Sequence, residues 1–190
     1  MTLYNVALFI HIIGVIVLFI AYGIGQRAGA RMRGAASVDH ARLWLGLLRV
    51  TTPMFPTALL LLLGSGLFMA ADRWMFTTPW VAVSIAAVVV IGALAGYVTR
   101  RFGRISAALE MAGEELAGEV RAALDDAGTW MAMFAINGMS FAVLWLMVVK
   151  PGWLVSIALP VALFVVGGAL GSAAIRRGMW SIADNGPDGR

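Results

Sequence analysis

The stretch LYNVALFIHIIGVIVLFIAYGIG, residues 3–25, decides the fold. It holds no charged side chain and is longer than the roughly 20 residues that a helix needs to cross a bilayer. One imidazole, His11, lies inside it. On a helix His11 shares a face with Tyr4, Ala7, Leu8, Gly14, Val15, Leu18 and Tyr22, since positions three and four apart align. Small and polar members suit that face to helix contact rather than to lipid. His11 is therefore expected inside a bundle, where an ionisable residue marks a candidate functional site.

The rest of the chain agrees with a membrane protein. Of 190 residues, 61% are apolar and 13% charged, and the mean hydropathy is +0.89, far from the balance of soluble domains. The first run lacks the basic flank and small-residue cleavage site of a signal peptide, so it is expected to remain as a membrane helix. There are no cysteines, which excludes disulfides, thiolate metal sites and cysteine nucleophiles. The net charge of +4 sits beside the apolar runs and not in one soluble patch, so it reads as topology and not as nucleic-acid binding.

Further apolar runs predict an all-α polytopic bundle of five transmembrane helices, at about 3–25, 52–71, 80–99, 130–149 and 153–175. They form a single bundle over 1–178, with a flexible tail at 179–190. Gly23 to Gly25 are expected to end the first span, and Val38 to Val50 to form an amphipathic segment that lies at the membrane interface or leads straight into the next span. Thr51, Thr52 and Pro53 have the composition of a helix start. Residues 100–129 turn polar but keep Phe102, Ile105, Leu109, Leu116, Val120 and Leu124 at helical spacing, opposite Glu110, Glu114, Glu115, Glu119, Asp125 and Asp126. Such a segment is an amphipathic extension covering the bundle or, alternatively, a partner-docking helix. Small residues at Gly64, Gly92, Gly96, Gly167 and Gly171, with Asn137, are expected at helix contacts.

Counting inward at about 1.5 Å per residue places His11 roughly 12 Å below the helix end. Gly64 and Ser65 of the second span, and Pro160 and Val161 of the fifth, come to the same level. Ser65 is thus a candidate hydrogen-bond partner, and His11, Gly14 and Ser65 are the candidate cofactor-binding residues. Three accounts of His11 stay open: a neutral imidazole joining helices, a ligand axial to a haem b iron, or a group for direct proton transfer or copper contact. His40, the only other histidine, is on the order of 20 Å or more away along the membrane normal by the same rise and cannot share a metal with it. Met54, Met69, Met131, Met133, Met139 and Met147 fall in or at the ends of spans; thioethers favour Cu(I), but methionine is also a common filler of apolar packing.

His11-x-x-Gly14, Gly64-Ser65-Gly66 and the run from Trp145 to Lys150-Pro151 resemble a bacterial integral-membrane family of unknown function. That family is similar in layout to the copper-resistance protein D membrane domain and to the haem-containing membrane protoporphyrinogen oxidase. The resemblance covers Leu3 to about Trp153 and maps His11 to the first-span histidine and Lys150 to the lysine before the outer proline. It implies architecture and topology more than a reaction, since Val81 to Val98 has none of the histidines that the oxidase-like proteins carry toward their third span.

Three function classes follow: a bundle that binds a cofactor or small ligand near His11, a small-solute transporter, and a non-enzymatic membrane partner or scaffold, self-associating or joined to another membrane protein. The spans hold no carboxylate, lysine or arginine, which argues against an ion-coupled pump. No phosphate loop, Gly-x-Ser-x-Gly elbow or His-Glu-x-x-His occurs, so hydrolase and kinase chemistry lack their motifs. Five spans with the N-terminus outside and the C-terminus cytoplasmic put twelve of the fourteen Lys and Arg residues inside, leaving Arg73 and Lys150 outside, as expected of a bacterial inner-membrane protein. An impermeant thiol reagent should therefore label Thr78→Cys in intact cells and Ser37→Cys after permeabilisation. The reverse pattern would invert the orientation.

Overall fold

The computed structural model describes residues 2–111 and 118–176, with the side chain of residue 119 left aside. Seven helices follow one another: α1 (Leu3–Arg33), α2 (Val38–Thr51), α3 (Met54–Arg73), α4 (Pro79–Met111), α5 (Gly118–Leu124), α6 (Ala127–Val149) and α7 (Trp153–Arg176), with no strand among the described residues. Five stretches are long and apolar enough to cross a membrane: α1, α4 and α7 alone, α3 with α2 leading into it, and α6 with α5. The protein is an all-α integral membrane bundle. The expected tail at 179–190 and Glu114 and Glu115 lie outside the described residues.

The helices overrun the apolar runs. α1 continues past Gly23 and Gly25 to Arg33, because a single glycine costs a helix only about 1 kcal/mol and the alanines and arginines beyond it are good helix formers. α4 runs on past Thr99 to Met111. Thr51 and Thr52 do not cap α3: their hydroxyls donate to the Leu48 carbonyl, each at 2.9 Å, and close α2 instead. Pro53 is the residue before α3 and makes no side-chain cap.

α1 packs along α3 and α2, while α6 packs along α7 and against α4. These two groups meet at mid-depth through Tyr22, Ala87, Ile91, Ile136, Met139 and Val143. At the arginine-rich end a second cluster, including Met32, Val38, Leu45, Ile105, Leu109 and Leu124, binds the end of α1 and α2 to the end of α4 and α5. The end of α4 and α5 thus turn Ile105, Leu109, Val120 and Leu124 into this cluster. Polar ties run over this cluster: Arg42 donates to the Leu109 carbonyl at 2.9 Å, Arg121 to the carbonyls of Arg33 and Ala35 at 3.0 and 3.2 Å, and Arg33 and Arg49 pair with Asp125 and Glu110. Asp126 caps α6 by accepting from the Thr129 N–H at 2.9 Å. Burial works to raise its carboxyl, but the Thr129 bonds and the nearby Arg101 outweigh this and hold it below the usual carboxylate range.

The close backbone contacts differ in part from those that small residues imply in sequence. At Gly138, Gly167 and Gly171 a Cβ would strike backbone of the partner helix, the Leu163, Phe134 and Trp130 carbonyls respectively, so α6 and α7 touch backbone to backbone. At Gly64, Gly92 and Gly96 a Cβ would meet nothing within 4 Å. Among the described residues, then, nothing stands against these three glycines at contact distance. Asn137 bridges nothing through its amide oxygen, which is buried without a partner among the described residues. Gly138→Ala and Gly167→Ala should therefore destabilise the bundle by about 1–3 kcal/mol through overpacking. Gly64→Ala and Gly96→Ala should be neutral or gain roughly 0.5–1 kcal/mol from helix propensity. Thermal melts in detergent distinguish the two sets.

Candidate ligand-binding site

α1 carries His11 into the bundle at 7% exposure, and α3 supplies its partner: Nδ1 lies 3.0 Å from the Ser65 hydroxyl. Ser65 in turn donates to the Leu61 carbonyl one turn back on α3, the common bond of a helical serine. A hydroxyl has one proton. With that proton committed to Leu61, Ser65 accepts from His11, so Nδ1 carries the ring's hydrogen and Nε2 keeps a lone pair. The Leu62 backbone is a further polar neighbour of the ring.

Glycine makes this geometry fit. A Cβ on Gly66 would come within 3.1 Å of His11 Cε1, so the interruption in the second span accommodates the imidazole itself. Gly14 has a different task. A Cβ there would meet Leu62 and Leu61 at 3.0 and 3.2 Å, and the residue lets α1 lie close on α3 without lining the site. Pro160, level with His11 in sequence, belongs to α7, which packs on α6 and does not line the site. Counting residues inward gives depth but not neighbours.

Nε2 of His11 is buried and has no hydrogen-bond partner among the described residues. The His11 residue lines a partly open cavity of about 320 Å³ between α1, α3, α4 and α6, in the half of the bundle away from the arginine-rich end. Ser84 of α4, 6% exposed, lines the same cavity with an equally unpartnered hydroxyl. Two residues with orphaned polar atoms lining one apolar space are unusual, because most buried polar groups are paired. Ser140 also lines it, its hydroxyl 3.4 Å from that of Tyr22.

The mouth is aromatic and cationic. Trp74 and Trp80 meet edge to face with centroids 5.3 Å apart, Lys150 Nζ lies 4.6 Å from the Trp74 ring centre, and the Arg73 guanidinium lies 4.4 Å from that of Tyr4. Lys150 closes α6 in the left-handed conformation, φ 55°, which costs a non-glycine residue energy. Sequence reasoning missed Ser84, whose spacing in α4 resembles any other small polar residue, and Gly66 as the imidazole's neighbour. It paired His11 with Ser65 from depth alone. Met69 and Met147 also line the cavity, brought there from different helices with no sequence motif to signal it. Among the described residues no group of three or more His, Asp or Glu side chains gathers to hold a metal.

These features define an integral membrane helical bundle with a half-enclosed apolar cavity and a buried imidazole. The chain belongs to the family described as predicted integral membrane protein (DUF2269), whose model matches residues 5–151. The match takes in α1 to α6 with His11, Ser65, Ser84 and Lys150, and stops before α7. Neither the curated proteins nor the solved structures give a match.

Magnetic resonance of isotope-labelled histidine should find His11 protonated on Nδ1, and a proton on Nε2 instead would overturn the hydrogen-bond order described. Gly66→Val, which drives a branched side chain into the ring, should abolish that signal while His40→Gln leaves it unchanged.

Proposed function

We propose that this protein holds a small lipid-soluble ligand in the cavity, with His11 Nε2 as its polar anchor. One observation carries the reading: Nε2 and the Ser84 hydroxyl are both buried and both unpartnered among the described residues, and both belong to residues that line the same apolar space. Leaving such atoms without a bond costs on the order of 1–3 kcal/mol each, and a bound molecule removes that cost. The cavity volume, about 320 Å³, stands at the lower end of ligand pockets. The distribution of arginines favours an orientation with the cavity in the outer leaflet of the bacterial inner membrane. A molecule arriving from the bilayer would then pass the Trp74 and Trp80 rings before its polar end reached His11.

A metal or haem b is the second reading, favoured by Met69 and Met147 lining the same cavity as His11. Imidazole and thioether are suitable donors to haem iron or Cu(I), and the layout likeness to copper-resistance protein D and membrane protoporphyrinogen oxidase points the same way. His11 Nε2 would bind the metal, which would supply redox chemistry when present. Ser65 would fix the tautomer that leaves that nitrogen free.

Solvent extraction and mass spectrometry of detergent-purified protein test the proposal. The parent should carry a lipid-soluble molecule in near-stoichiometric amount, and His11→Phe or Ser84→Val should lose most of it. Identical extracts of bulk phospholipid from parent and variants would overturn it. A Soret band or stoichiometric copper that His11→Gln abolishes would establish the second reading in its place.

A further inference from the structure

The hydrogen-bond order around His11 restricts what the cavity accepts. Its Nδ1 hydrogen is directed to Ser65, and the Ser65 hydrogen to Leu61. Nε2 is left as an acceptor. A ligand group facing it must donate: a hydroxyl or N–H satisfies it, whereas a carbonyl or ether oxygen sets lone pair against lone pair. The second orphan, Ser84 Oγ, stands on α4 on the other side of the seam between the two helix groups. It can donate or accept, so it meets a second oxygen of either kind. The walls between are apolar and partly aromatic, with Phe19, Trp74 and Trp80, and suit a flat uncharged ring. At about 320 Å³ and partly open, the cavity has room for a head group and not for a whole lipid, whose tail would stay in the bilayer.

From these features we infer that the cavity selects the reduced, dihydroxy form of a lipid-soluble aromatic ring, a hydroquinone, over the corresponding quinone. One ligand hydroxyl donates to His11 Nε2, and the other oxygen bonds Ser84. Ser65 acts as a specificity-determining positioning residue, since it touches no ligand but decides which face of the imidazole donates. This inference rests on the reading of the cavity as a site for a lipid-soluble molecule.

The test uses the full chain in detergent under anaerobic conditions, with a decyl-substituted dimethoxy-methyl hydroquinone and its oxidised quinone as probes, measured by equilibrium dialysis and thermal shift. The parent should bind the hydroquinone roughly tenfold or more tightly than the quinone, the ratio that one lost hydrogen bond to a buried group implies. Ser65→Ala should narrow that ratio, because the ring is then freer to place its hydrogen on Nε2. Ser84→Ala should weaken both probes and leave the ratio close to that of the parent. Should His11→Phe fail to fold, the Ser65 and Ser84 variants still decide. Equal affinity of the parent for both probes, or binding of neither, overturns the inference. The extraction experiment decides separately whether the cavity holds any lipid-soluble molecule, so failure of the donor rule and failure of the site can be told apart.

Discussion

Hydrocarbon offers no hydrogen-bond partner, and that constraint organises the half of the molecule around His11. An imidazole placed in the first span must find its partner on another helix, and Ser65 of α3 is that partner. The bond requires α1 and α3 to approach closely. Gly14 allows this where α1 meets Leu61 and Leu62, and Gly66 allows it where the ring itself lies. Satisfying one ring nitrogen leaves the other facing the space between the helices. The cavity's polar character is thus a by-product of how α1 and α3 are joined.

The far side of that space is built differently. α6 is the most buried span, and it makes backbone contact with α7 through Gly138, Gly167 and Gly171. Such contact relies on dispersion between closely packed atoms rather than on polar bonds. Ser84 reaches the cavity from α4, which leans on α6. A hydrogen-bonded pair and a close-packed group therefore face each other across the site.

Much of the fold was legible because apolar length is a one-dimensional property. The five spans, the amphipathic α2 and the apolar positions Phe102, Ile105, Leu109, Val120 and Leu124 all follow from spacing. Depth is also one-dimensional, and it brought His11 and Ser65 to one level. Azimuth is not. Gly64, Gly92 and Gly96 have the same composition as Gly138, Gly167 and Gly171, yet only the second set meets a neighbouring backbone, because rotation of a helix about its axis is set by its partners. The same gap separated Pro160 from His11 and hid Ser84, Met69 and Met147, whose convergence depends on which helices are adjacent. Helix ends were also beyond reach of hydropathy: α1 and α4 continue through their arginines, which disfavour lipid but not helix.

The seam between the two helix groups is fastened unevenly. At the arginine-rich end it is closed by an apolar cluster and by ties from Arg33, Arg42, Arg49 and Arg121. At mid-depth it is closed by the contacts around Tyr22 and Ile136. Beyond that lies the cavity, and at its rim Lys150 over Trp74 joins α6 to the end of α3, a contact worth roughly 0.5–2 kcal/mol. The bundle has the mechanics of a clothes-peg: a stiff spring at one end, jaws at the other, and light clasps across them, Lys150 over Trp74 and Trp74 against Trp80. Compliance is concentrated where the clasps sit, so the girth of what enters is governed less by the volume at rest than by how readily Lys150 and Trp80 let go of the Trp74 indole.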